Sequence, residues 1–212
     1  METRNLKIPA MTPPEVHDFL YDIGSDWKGQ GCAIELGCWL GGSAVPLLEG
    51  LHLARFDRTF WAFDSWTADQ DQVRKAAKQG QDLHICQDLL PIFRSNVIPV
   101  YGKVSAVRGR LPGSLHWWVS EPIEICIFDA PKKNPIFIES IKRLEPHFIP
   151  GVTILGLLDY YSYKKPGAGS EKRKAPVNFI NDNPDSFTML KDWPGECACA
   201  FFQYKKPVIW KQ

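Results

Sequence analysis

An α/β fold is predicted: a Rossmann-like three-layer sandwich around a mostly parallel seven-stranded sheet, closed by an antiparallel C-terminal strand pair. Three observations predict it. Short apolar runs alternate with segments of helical apolar spacing for most of the chain. The first apolar run breaks directly into a glycine-bearing turn. The last two runs lie close enough in sequence to fold back on each other. With no internal repeat and no break in composition, one domain over residues 1–212 is expected, with residues 1–30 as a helical extension.

The elements follow in order. Thr12-Pro13-Pro14-Glu15 has the form of a capping box with proline at the first helical position, and Val16, Phe19, Leu20 and Ile23 continue at helical spacing. Ala33-Ile34-Glu35-Leu36 is the first strand, after Gly29 to Gly31. Ala44, Val45, Leu47, Leu48 and Leu51 mark a helix that tolerates Pro46 in its first turn. Thr59 to Asp64 is the second strand, and the polar stretch from Asp69 to Gln87 reads as a surface helix. Leu89, Leu90, Ile92 and Phe93 lead toward a third strand at Val97-Ile98-Pro99-Val100-Tyr101. Ile123 to Asp129 is an apolar strand ending in an acid, and Asn134-Pro135 opens a helix carrying Phe137, Ile138, Ile141 and Leu144. Val152 to Leu158 is a buried strand that ends at Asp159. Lys164 to Lys174 is a Gly- and Lys-rich mobile loop, and Val177 to Ile180 a short helix. Phe187–Leu190 and Ala198–Tyr204 form the closing antiparallel pair.

Composition narrows the function classes. The 44% hydrophobic and 23% charged fractions over 212 residues are those of an ordinary globular protein. A net charge of +1 supplies no field for nucleic acid or an anionic membrane. No apolar run reaches bilayer length, and the N-terminal residues lack a signal-peptide core. Cys32, Cys38, Cys86, Cys126, Cys197 and Cys199 contain no CxxC pair, so reduced thiols in a cytoplasmic protein are expected. Self-association into a homo-oligomer is left open.

The glycine turn carries the chemistry. A dinucleotide fingerprint places two glycines one residue apart, so that the backbone can approach a pyrophosphate. Here Gly37 is separated from Gly41-Gly42 by Cys38, Trp39 and Leu40. This wider turn suits a smaller charged group held by backbone N–H groups at the next helix start, and it disfavours a nicotinamide oxidoreductase. Asp64 ends the following strand, where a carboxylate can hold the paired hydroxyls of a ribose. Trp66 is placed to stack on an adenine.

Glu-Leu-Gly-Cys-Trp-Leu-Gly-Gly-Ser at 35–43, with Trp-Ala-Phe-Asp-Ser-Trp at 61–66, resembles the class I S-adenosylmethionine-dependent methyltransferases. Within them the chain is most similar to the small-molecule O-methyltransferases of the macrocin and cephalosporin hydroxylase-like group. Ile127-Phe128-Asp129-Ala130 and the run from Pro150 to Tyr160 match the later strand ends of that group. The resemblance implies that Glu35, Gly37, Trp39, Gly41, Gly42 and Ser43 cradle the amino-acid part of S-adenosylmethionine. Asp64 and Ser65 would bind its ribose, and Gly102, Lys103 and Val104 would flank its adenine. Lys103 departs from the acid many relatives carry there.

Methyl transfer needs an aligned nucleophile and a group to take its proton. The acceptor is expected to be a small molecule, such as a sugar or secondary metabolite with a free hydroxyl. The resemblance also implies strand-end carboxylates that hold a divalent metal, which assigns Asp129 and Asp159 as catalytic residues and as ligands of Mg2+. Alternatively, Asp129 belongs to the cofactor pocket alone. None of His17, His52, His84, His116 and His147 reads as a general base; each is expected at the surface. Lys132 and Lys133 are expected in a solvated loop, with pairing to an anionic substrate as the alternative. Lys103 and Pro131-Lys132-Lys133 also motivate a second reading, a cofactor-binding or interaction protein without turnover.

Overall fold

The computed structural model describes residues 8–115, 121–130, 133–164, 173–195 and 197–210. Along the chain these form α1 (Pro14–Ser25), β1 (Cys32–Leu36), α2 (Ala44–Leu53), β2 (Phe60–Asp64), α3 (Gln70–Ala77), α4 (Leu90–Val97) and β3 (Val104–Arg108). β4 (Ile123–Phe128), α5 (Ile136–Leu144), β5 (Ile154–Leu157), α6 (Ala175–Asp182), β6 (Phe187–Trp193) and β7 (Cys199–Tyr204) follow. The seven strands form one sheet in the order β3-β2-β1-β4-β5-β7-β6. Pairings across β3, β2, β1, β4 and β5 are parallel, while β7 runs antiparallel to both β5 and β6. The predicted class and the closing antiparallel pair are as the sequence indicates.

β1 shows why the sheet lies between two helical layers. Successive side chains of a strand point to opposite faces, and every residue of β1 is buried. Ala33 joins the apolar cluster of α1, α2 and α4, which includes Leu20, Leu47 and Phe93. Cys32, Ile34 and Leu36 join the opposite cluster, where Phe137 of α5 and Phe179 of α6 pack. Glu35 therefore shares the face of Ala33, beneath the start of α2. No helix among the described residues is long and apolar enough to cross a membrane.

Several local expectations are corrected. The capping box at Thr12 does not form: Pro13 is the N-cap and makes no side-chain cap bond. The Thr12 hydroxyl lies 2.8 Å from Nε2 of His17, which is buried rather than exposed. His52 and His84 are exposed, His147 is half-buried, and His116 lies outside the described residues. A reciprocal capping box does form at Asp69 and Gln72, but the helix it starts ends at Ala77 instead of running to Gln87. Asn134 is not an N-cap, since α5 begins two residues later.

The third strand is displaced. Val97 to Tyr101 is the end of α4 and a turn, and the strand begins at Val104. Leu89, Phe93 and Val97 recur every four residues and are fully buried, so helical packing outweighs the β-branched character of the run. Tyr101 then anchors the turn through its hydroxyl, which donates to the carbonyls of Phe56 and Arg58 at 3.0 and 2.6 Å.

Candidate active site

In an open parallel sheet the ligand crevice lies outside the carboxyl ends of the strands, where the strand order reverses. Here that reversal falls between β1 and β4. A cleft of about 480 Å³ opens at this edge, lined among others by Gly37, Trp39, Asp64, Ser65, Gly109, Arg110 and Asp129. Backbone bonds bind the strand ends together. Gly37 N–H donates to Phe63 C=O at 2.7 Å, Gly109 N–H to Asp64 C=O at 2.9 Å, and Asp129 N–H to Leu36 C=O at 2.8 Å.

Gly37 has φ +89°, and an added Cβ would lie 2.8 Å from the Cβ of Ala130. Only glycine fits this left-handed turn against the end of β4. Asp64 organises the loops on either side of it. One carboxylate oxygen accepts the Trp39 N–H at 3.0 Å, and the other accepts the Trp66 N–H at 2.8 Å and the Ser65 hydroxyl at 3.3 Å. The same carboxylate lines the cleft, and each oxygen can accept more than one bond. Trp39 also lines the cleft, with φ +45°, and its indole Nε1 is buried without a hydrogen-bond partner.

Beneath the turn, the Ser43 hydroxyl donates to Oε1 of Glu35. Glu35 is fully buried and Oε2 lacks a hydrogen-bond partner. Burial pushes its carboxyl up to about 8, a shift that the Ser43 bond opposes and that the charges of Asp129 and Asp64 increase. The adjacent Cys38 thiol is raised well above its ordinary range, first by burial and then by the charge of Glu35, so it stays protonated.

Other predicted residues lie elsewhere. The bare Cα of Gly41 faces Val97 and Phe93 of α4, and that of Gly42 faces Ala10; both serve packing and neither lines the cleft. Trp66 is fully buried, 4.6 Å from the Phe93 ring, with Nε1 donating to Val107 C=O at 3.3 Å, so it is a core residue with no face for an adenine. Gly102, Lys103 and Val104 sit at the amino end of β3. Lys103 C=O accepts from Phe60 N–H at the start of β2, and the Lys103 ammonium reaches Asp57 C=O. The displaced strand puts this trio at the opposite edge of the sheet from the cleft. Gly109 and Arg110 take that place at the carboxyl end of β3.

Asp129 and Asp159 follow neighbouring strands, β4 and β5, as expected. Only Asp129 lines the cleft. The turn that holds Asp159 is tied toward the β6–β7 hairpin, with Tyr161 N–H bonded to Ala198 C=O and the Tyr161 hydroxyl to Asp192. Among the described residues, no group of three His, Cys, Asp or Glu could hold a metal ion. The two carboxylates expected to share a magnesium ion are thus not brought together in the lining of the cleft. Lys132 and most of the Lys164–Lys174 loop lie outside the described residues.

The sequence reading also missed a wall of the cleft. α3 contributes Asp71, Gln72 and Lys75, and the segment before α1 contributes Met11. Asp71 pairs with Lys75 at 3.0 Å and with Arg74 at 2.5 Å, and these bonds hold its carboxyl below the usual range. The reciprocal cap Asp69-x-x-Gln72 was a readable signal for where this wall starts.

Solved structures share this architecture over most of their lengths. A cofactor-bound protein, Rv0187 from MTB, superposes with a TM-score of 0.67 at 14% identity, covering 97% of this chain and 84% of that one. The O-methyltransferase NovP gives 0.58 at 16% identity, covering 91% and 78%. The O-methyltransferase TomG from Streptomyces achromogenes, solved with S-adenosylmethionine, gives 0.57 at 15% identity, covering 93% and 82%. No protein-family model matches the chain, nor does any curated protein sequence. The chain shares its Rossmann-like fold with these structures.

Proposed function

We propose that this protein transfers a methyl group from S-adenosylmethionine to a hydroxyl of a small-molecule acceptor. The observation that carries the reading is the convergence of Gly37, Asp64 and Asp129 on one cleft at the strand-order reversal. The bound cofactor supplies a methyl group already activated on a sulfonium.

The chain's own residues do the rest. Gly37 admits a ligand's polar end against the end of β1. The remaining lone pairs of Asp64 accept ribose hydroxyls, while its existing bonds to Trp39 and Trp66 keep it aimed. Asp129 takes the acceptor proton. A carboxylate is a weak base toward a free alcohol, but the oxygen grows acidic as its bond to carbon forms, so a late transfer is feasible. Asp159 has no part in this scheme. The non-catalytic reading loses one of its two motives, because Lys103 lies at the other edge of the sheet.

Calorimetry with S-adenosylmethionine, followed by labelled-methyl transfer to a panel of hydroxyl acceptors without added magnesium, tests the proposal. Binding by the native protein is expected, and Gly37→Ala should weaken it at least about tenfold through φ strain and the clash at Ala130. No binding at millimolar cofactor would refute the proposal. Unchanged binding in Gly37→Ala would move the site away from this cleft.

A further inference from the structure

Glu35 is bonded unlike a structural carboxylate. Its side chain is fully buried, one oxygen accepts the Ser43 hydroxyl, the other has no partner of ordinary hydrogen-bond geometry, and the only further donor beside it is the weak Cys38 thiol. Around it stand the Cys38 thiol of the turn, Asp64 at the end of β2 and Asp129 past the end of β4. No lysine, arginine or histidine figures among the groups acting on it. Three acids thus gather beneath and beside the cleft with no described cation to balance the buried one.

We propose that Glu35 carries a proton in the ligand-free protein and releases it when the cationic cofactor seats at Gly37, so that cofactor binding is proton-linked. The inference rests on the methyltransferase reading. Its physical basis is the cost of a buried negative charge facing two other carboxylates, which favours the neutral acid. That cost is visible in the carboxyl being pushed up to about 8. A sulfonium and an ammonium brought into the same low-dielectric region reverse the balance, since opposite charge stabilises the carboxylate. The Ser43 hydroxyl already points its donor at the oxygen that becomes charged. The balance is simple: one O–H bond of Glu35 breaks, the proton passes to solvent, and the cofactor's positive charge takes its place.

Calorimetric titration of S-adenosylmethionine at pH 6.5, in two buffers of different ionisation enthalpy, counts the protons released. At that pH the cofactor's own amino group is protonated, as amino groups of this kind titrate at about 7.7–8.0. The expected result is close to one proton released per cofactor, with affinity rising up to about tenfold from pH 6 to pH 7. Glu35→Gln should bind without proton release and with a flat pH profile. Ser43→Ala, which removes the stronger donor to Glu35, should move the rise in affinity to higher pH. Binding by the native protein without proton release would overturn the inference while leaving the methyltransferase reading intact, and so would equal release by Glu35→Gln. No binding by the native protein at any pH would overturn both.

Discussion

Glu124 of β4 and Glu35 of β1 are both buried acids on central strands, yet they differ at each carboxylate oxygen. Glu124 stands near the amino edge of the sheet and accepts three backbone N–H groups, from Lys28, Gln30 and Gly31. Those bonds pin the loop that leads from α1 into β1. Glu145, also buried, takes the Tyr204 hydroxyl and the Val208 N–H on one of its oxygens. Glu35, at the cleft edge, receives a single hydroxyl. Buried polar groups in folded proteins are nearly always satisfied. The edge away from the cleft satisfies its acid, and the edge that carries the cleft leaves one carboxylate oxygen unsatisfied.

The largest expected effect comes from breaking the satisfied acid. Glu124→Ala strips partners from three backbone N–H groups at once and should cost about 3 kcal/mol of stability, read as a shift in the denaturant midpoint. Cofactor affinity of the folded fraction should hold, because Glu124 is remote from the cleft.

Glu35→Gln should behave in the opposite way. A carboxyl raised in the folded state relative to the unfolded chain gives stability below its unfolded value, and that stability is lost as pH climbs through about 8. The native protein should therefore lose stability from pH 5 to pH 8 relative to Glu35→Gln, by on the order of 1–3 kcal/mol. Parallel melting curves for the two proteins across that window would contradict the contrast drawn between the two glutamates. The smallest effect belongs to Lys103→Glu. It lies at the amino edge and is solvent-exposed, so cofactor affinity should be unchanged and stability altered by less than about 0.5 kcal/mol. A large loss of binding would return the adenine subsite to residues 102–104.

The same two edges explain what the sequence made legible. β1, its turn and Asp64 were readable because buried parallel strands are nearly continuous apolar runs, and glycine marks the break. β3 was not: Val104–Arg108 is half-exposed and carries Ser105 and Arg108, while the more apolar Val97–Tyr101 next to it looks more like a strand. That slip hid the fact that residues 102–104 lie at the amino end of the sheet, away from the cleft. Trp66 misled for a related reason, since an indole beside a strand end serves a core or a ligand equally well until its neighbours are known. Gly41 and Gly42 show the same ambiguity, because packing against α4 and Ala10 demands glycine as strictly as a bound group would. The start of α3 was legible in its Asp69–Gln72 cap, but its part in the cleft was not, because polar residues on a short helix read the same whether they face water or a cleft.

The position of β7 has a consequence for the order in which the protein can assemble. β7 lies between β5 and β6, although both precede it in sequence, and β6 has no other partner in the sheet. During synthesis the first five strands can pair as they emerge, while β6 waits and β5 remains an open edge. Residues 199–204 then close two seams together, with the Phe201 ring settling 2.6 Å from where a side chain on Gly156 would begin. A substitution in β7 should therefore expose two strand edges rather than one, and strand edges left unpaired are where newly made chains stick to each other.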